Sequence, residues 1–309
     1  MNLPLKSLVL FPVLASVLAA GPAVASPTER LGSVVIDWSG LPVRPTGVGQ
    51  RRDVADRPTA TLVRLESHVT TLNAGATSHP PHRHPQEELI FVRDGTVDVR
   101  INDRVQRAGP GALLFFASND LHNLANVGDR PVTYVVIQFT TAATQAVGAP
   151  AAAPTSGLLR SAVFDWSALT VKPTQTGERR ELFNSPTATF ANLECHATTV
   201  NPGEAPHAPH RHADEEILVM KQGTIQVEIN GVTRAAGPDS VVFFASGERH
   251  GVRNAGSKPA TYYVIRLVTA ATPEKRTPAG FYPGPNGFKL SPAPDRCCIE
   301  ADRNRNSQS

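Results

Sequence analysis

The chain has 309 residues, 40% of them hydrophobic, with 30 Lys and Arg against 27 Asp and Glu and a formal charge of +3. That length holds two domains of roughly 110–130 residues each, plus tails. The near-neutral charge, without a basic run or a basic amphipathic helix, argues against nucleic acid or a membrane surface as partner. The three cysteines build neither a disulfide framework nor a zinc knuckle.

Residues 1–25 carry Lys6, an apolar run from Leu8 to Ala20, and Ala23-Val24-Ala25 before Ser26. This pattern predicts a secretory signal peptide cleaved after Ala25, and so a secreted or periplasmic mature protein with no membrane segment. The apolar stretch is shorter than the ~20 residues that span a bilayer, and Pro12 and Pro22 fall within it. Cleavage removes Lys6 and leaves 29 basic against 27 acidic residues, a charge of +2.

Residues 26–144 read as a first domain, the Ala/Pro-rich 145–160 as a linker, 161–272 as a second domain, and 273–309 as a Pro/Gly-rich tail containing Cys297 and Cys298. The stretch 26–60 is a Pro/Gly-rich lead-in arm with Asp37-Trp38 and Arg51-Arg52, whose arginines read as surface ion-pair formers. From Thr61 the pattern is β: Leu62–His68, Leu89–Val92, the alternating Thr96–Ile101, Ala112–Phe116 after Gly109-Pro110-Gly111, and Val132–Phe139. In the second half Ile225–Ile229 alternates likewise and ends in Asn230-Gly231, a tight-hairpin dipeptide. No segment keeps a helical period over three turns. The class is all-β, with antiparallel barrels or sandwiches.

One domain is written twice. Adding 128 takes His68 to His196, His79 to His207, His82 to His210, His84 to His212 and His122 to His250, which uses all ten histidines. In an extended strand His82, His84 and Glu88 would point to one face, and His122 supplies a fourth ligand; the copy offers His210, His212, Glu216 and His250. Imidazoles and a carboxylate bind first-row divalent metals and leave coordination positions open.

His79 and His207 sit three residues before the first ligand in proline-bounded loops. An imidazole there suits proton transfer; a merely positioning loop histidine is the competing reading. Glu87 and Glu215, adjacent to ligands, should face the opposite way, as should Arg83 and Arg211. His68 and His196 read as satisfied histidines between strands. One phenylalanine each of Phe115-Phe116 and Phe243-Phe244 belongs to the core, and Asn126 and Asn254 fix a turn or orient a ligand.

His82-x-His84-x3-Glu88-x6-Gly95 followed by His122-x3-Asn126, and its copy His210-x-His212-x3-Glu216-x6-Gly223 with His250-x3-Asn254, resemble the two motifs of the cupin superfamily. The chain resembles a bicupin over residues 33–144 and 161–272. Gly75 and Gly203 lie one residue further from the first ligand than the usual pattern, and Ala117 and Ala245 replace a common proline.

The resemblance implies two tandem double-stranded β-helix (jelly-roll) barrels, lead-in arms packed across them, and one divalent transition metal per domain: Fe or Mn, or Cu, Ni or Zn. It implies an enzyme, an oxygenase acting on a small phenolic or enediol-like substrate with dioxygen. The alternatives are a non-oxidative metal-dependent isomerase or hydrolase, and a sugar-binding or storage barrel with a structural metal. Assembly into a homo-oligomer stays open.

Overall fold

A computed structural model describes residues 29–146 and 156–274. The segment expected to be a signal peptide, the middle of the expected linker, and the tail with Cys297 and Cys298 lie outside the described residues. The first half forms β1 (Val34–Asp37), β2 (Arg44–Thr46), β3 (Gly49–Arg57), β4 (Arg64–Leu72), β5 (Glu87–Asp94), β6 (Val97–Ile101), β7 (Arg104–Ala108), β8 (Leu113–Phe116), β9 (His122–Ala125) and β10 (Val132–Thr140). A short helix, α1 (Ala142–Ala146), follows where no helix was expected; at five residues it is below the length at which periodicity shows.

The second half repeats the series as β11 (Ala162–Phe164), β12 (Lys172–Thr174), β13 (Gly177–Ser185), β14 (Asn192–Val200), β15 (Glu215–Gln222), β16 (Ile225–Ile229), β17 (Val232–Ala236), β18 (Ser240–Phe244), β19 (His250–Arg253) and β20 (Ala260–Val268). Each half is a jelly-roll unit made of a seven-stranded and a three-stranded sheet. Its sheets face one another and are not closed by hydrogen bonds into a continuous barrel.

The arms change places. In the large sheet of the first barrel the order is β11-β8-β5-β10-β4-β3-β2, so the edge strand β11 comes from the second half of the sequence. Reciprocally, β1 lies against β18 in the second barrel, with Val34 opposite Phe243. Shifted by 128, that pair becomes Ala162 opposite Phe115, which is the register of β11 on β8.

Strand β3, nine residues long, stands where an irregular arm was expected. Its Arg51, Arg52, Asp53, Asp56 and Arg57 hide any polar–apolar alternation, and pairing with β4 decides its structure.

The central strands of each large sheet are buried on both faces, which explains the unbroken apolar runs Leu89–Val92 and Leu113–Phe116. One face meets the small sheet around Ile90, Leu114, Phe116, Leu124 and Val136. The other meets the large sheet of the opposite barrel, where Leu89, Phe91, Phe115 and Phe139 pack with Phe190, Ile217, Phe243 and Ile265. Burying each such side chain contributes about 1.5–3 kcal/mol.

Turns obey the sequence signals. Asn230 and Gly231 have φ of 49° and 87°, the left-handed pair that a two-residue hairpin needs. Gly95, the motif glycine, has φ 80°, and a Cβ there would lie 2.9 Å from the side chain of Val132.

Candidate metal centres

The ligand segments are not continuous strands, contrary to the alternation read from the sequence. Pro80, Pro81 and Pro85 remove backbone donors, so residues 78–86 run irregularly and β5 starts only at Glu87. His82 is instead held by an isolated bridge to His122, with each backbone N–H donating to the other residue's carbonyl at 3.2 and 3.0 Å. His210 and His250 make the same bridge at 2.8 and 2.9 Å. The ladder thus carries the first and last histidines to one point.

His82, His84 and His122 each place a ring nitrogen within 4.8 Å of the others, and so do His210, His212 and His250. Glu88 stands at the edge of the first group, its Oε2 3.8 Å from His84 Nε2; Glu216 stands 3.4 Å from His212 Nε2.

Tautomers follow from the second partners. His84 Nδ1 donates to the Gln86 carbonyl at 2.9 Å and His122 Nδ1 to that of Asp120 at 2.8 Å. His212 and His250 do likewise, to Asp214 at 2.7 Å and Glu248 at 2.9 Å. Placing the proton on Nδ1 leaves the Nε2 lone pair free. The Nε2 atoms of His122, His212 and His250 are buried without a hydrogen-bond partner among the described residues. Orphaned imidazole acceptors converging beside a carboxylate fit a divalent metal ion in each barrel.

Phe116 stacks on His122, with ring centroids 4.3 Å apart and an interplanar angle of 14°; Phe244 stacks on His250 at 4.2 Å and 14°. Phe115 and Phe243 go to the opposite face, into the core between barrels. Asn126 fixes a turn: its Nδ2 donates to the carbonyls of Leu72, Asn73 and Arg130, and its Oδ1 accepts from Gly128 N–H. Asn254 does the same with Val200, Lys258 and Gly256.

His79 and His207 are exposed at the mouths. Each ring stands edge-on to the first ligand, with centroids 4.0 Å (His79–His82) and 4.4 Å (His207–His210) apart. Partial shielding of its ring from water, with the neighbouring His82 adding to it, lowers the His79 pKa. His68 lies on β4 opposite Val136, facing the barrel interior, and burial pulls it down to about 4.

Arg51 is tied by Asp53 at 2.7 Å and Glu66 at 2.8 Å, and Arg180 pairs with Glu178 at 3.1 Å; Arg52 and Arg180 also lie over Trp38 and Trp166 at 5.9 and 4.5 Å from the ring centroids. Arg83 faces away from the histidines. It donates to the Asn119 carbonyl and lines a cleft of about 860 Å³ with Asn102, Asp103 and Arg160 that contains none of the metal-ligand residues.

Several site residues escape sequence reading. Cross-strand partners share a face, and Gln138 pairs with Glu88 as Arg266 pairs with Glu216. Gln138 Nε2 lies 3.4 Å from Glu88 Oε2 and 3.5 Å from His84 Nε2. Arg266 Nε donates to Asp214 Oδ2 at 2.6 Å, and Asp214 Oδ1 lies 3.4 Å from His212 Nδ1. Position 86 is glutamine in the first copy where 214 is aspartate in the second. The signal that finds them is a comparison of the two copies for differences, where the repeat itself draws the eye to identities.

The charges differ accordingly. Burial pushes the Glu88 carboxyl up to about 7. At Glu216 burial acts the same way but is outweighed by the His212 imidazole 3.4 Å away, with His250 and Arg266 adding to it, so that carboxyl is held below its usual range. His212 is correspondingly raised: burial opposes this, but the neighbouring Glu216 carboxylate prevails, helped by Asp214.

The sequence matches the family described as "Cupin domain" over residues 68–138 and 197–266. No curated protein matches it significantly in sequence. Among solved structures, the oxalate decarboxylase of Lactobacillus farciminis in its formate complex is similar with a TM-score of 0.57 and 15% identity, covering 78% of this chain and 88% of that one. AerE from Microcystis aeruginosa matches with a TM-score of 0.56 and 12% identity, over 74% and 98% of the two chains. Ylba from E. coli matches with a TM-score of 0.61 and 10% identity, over 79% and 94%. At these identities the likeness is one of fold.

Proposed function

We propose, from the premise that this chain belongs to the cupin superfamily as a bicupin, that it is an exported divalent-metal-dependent enzyme whose substrate is a small molecule offering two oxygen donors. The observation that carries this reading is the trio of converging imidazoles in each barrel, with buried ring nitrogens on His82 and His122 and on His210, His212 and His250 that have no hydrogen-bond partner among the described residues. A structural site would close its shell with protein ligands, whereas here three histidines and a glutamate leave room for an exchangeable partner.

The ion would be held by His82, His84, His122 and Glu88 in the first barrel and by His210, His212, His250 and Glu216 in the second. Bound there, it supplies Lewis acidity towards an oxygen-donor substrate and, if redox-active, a route to dioxygen. The protein's own groups do the rest. Phe116 and Phe244 fix the last histidine of each trio by stacking. Gln138 orients Glu88 through its amide. The apolar floor of Ile90, Leu114 and Val136 keeps water from the inner side of the first centre. His79 and His207, at the rims, stand where a proton must leave or enter a chelating hydroxyl group.

Oxygenation of a phenolic or enediol-like substrate is the reaction class we favour. Elemental analysis with oxygen uptake on catechols, flavonols and small keto acids tests it: two metals per chain with uptake supports the reading, and metal without uptake overturns the oxygenase part. A second reading, non-oxidative chemistry on a small carboxylate, is favoured by Arg266 inside the second barrel and by the fold shared with an oxalate decarboxylase.

A further inference from the structure

The two barrels are copies in their ligands but not in what surrounds them. At the strand position facing the ligand glutamate, the first has Gln138 and the second Arg266; two residues after the second ligand histidine, the first has Gln86 and the second Asp214. The changes are coupled, since Arg266 and Asp214 bond each other at 2.6 Å.

Asp214 grips Arg266 by Nε alone. Nη1 lies 3.7 Å from Glu194 Oε2, beyond hydrogen-bond distance, and neither Nη makes a hydrogen bond among the described residues. Glu194 is itself occupied by Arg179 at 3.1 Å and His196 at 3.1 Å. The side chain is one-third exposed, at 33%, on the face that carries Glu216. The result is a guanidinium anchored at its base, with its two-pronged edge unspent, beside the metal ligands. A planar fork of that kind matches a carboxylate.

The first barrel offers nothing equivalent. Gln138 turns its amide to Glu88 and His84, and Arg51, like its counterpart Arg179, is consumed by two carboxylates.

We propose that the second barrel is the site for carboxylate-bearing ligands, with Arg266 as the group that selects them, while the first barrel accepts neutral oxygen donors. This inference rests on the metal-centre reading above and adds a division of labour between the barrels. It predicts that ligands of the two classes occupy different barrels of one chain.

The test uses the full mature chain loaded with metal, titrated calorimetrically with malonate as the carboxylate probe and with catechol as the neutral probe. Metal content is measured on every sample. The variant is Asp214→Gln/Arg266→Gln, which installs the pair that the first barrel already tolerates and so leaves no unpaired charge. The expected result is one malonate per wild-type chain, malonate binding weakened by about tenfold or more in the variant, and catechol binding unchanged. The reciprocal variant Gln86→Asp/Gln138→Arg should gain a second malonate site.

Equal malonate affinity in wild type and the glutamine variant, two equivalent malonates per wild-type chain, or no malonate binding at all would each overturn the proposal. The metal reading fails separately. A chain holding fewer than two metals whose malonate binding still needs Arg266 sinks that reading and keeps this inference; a fully metallated chain indifferent to Arg266 does the reverse.

Discussion

The carboxylate of Glu87 and the hydroxyl of Thr187 lie 2.6 Å apart, although they belong to different barrels. Glu87 Oε2 also accepts from Thr189 Oγ1 at 2.6 Å, and Oε1 accepts from Ala188 N–H at 3.1 Å. Glu215 repeats this with Thr59, Thr61 and Ala60 at 2.7, 2.6 and 2.9 Å. These two glutamates do point away from the metal ligands beside them, and each serves as a buried clasp between barrels.

Removing one carboxylate leaves two buried hydroxyls and a part-buried backbone N–H without their acceptor. Glu87→Ala should lower stability by about 2–4 kcal/mol while both metals stay bound. Urea denaturation with metal analysis checks this; loss of the first-barrel metal at unchanged stability would contradict the clasp.

Metal stoichiometry should divide between the halves. His82→Ala/His84→Ala should remove one metal per chain, His210→Ala/His212→Ala the other, and the quadruple variant should retain none. Elemental analysis decides, and a fully loaded quadruple variant would refute the two-centre assignment.

Phe116 is fully buried and stacked on His122. Phe116→Ala should cost about 3–5 kcal/mol through the cavity it leaves and weaken first-barrel metal affinity by about 10–100-fold by freeing the imidazole. Competition with a chelator of known affinity measures the second effect. Second-barrel affinity should not move.

His68 gives the acid limb of stability a definite sign. Burial lowers it from the ordinary 6.5 to about 4. Between those values the unfolded chain takes up a proton that the folded one refuses, so this contribution is fully present above about 6.5 and is lost as pH falls towards 4. His68→Gln should flatten that decline by about 2–3 kcal/mol, read from unfolding free energies at pH 7 and pH 4.5; an unchanged slope would count against the buried neutral imidazole.

Much of the site is legible in the sequence because the histidines and motif glycines are local and doubled. An offset of 128 reveals the ligand sets at once, and Asn230-Gly231 announces its turn. What is not legible is whatever long-range pairing decides. Strand β3 has no apolar stripe and exists because β4 lies beside it. The partner of Glu87 is 100 residues away, and the proline-broken segment around His82 owes its shape to His122, not to its own strand propensity. Gln138 and Arg266 look like ordinary strand polar residues until register sets them against the ligand glutamates.

The exchanged arms also order the events of synthesis. Val34 finds its partner only at Phe243, so the first strand to be made, β1, has nothing to pair with until the second half is nearly complete. The first barrel, in turn, lacks its edge until Ala162–Phe164 emerges. A nascent chain halted at the linker would therefore carry two open sheet edges, the situation that invites pairing with a neighbouring polypeptide. Completion of the second copy removes that hazard within a single molecule.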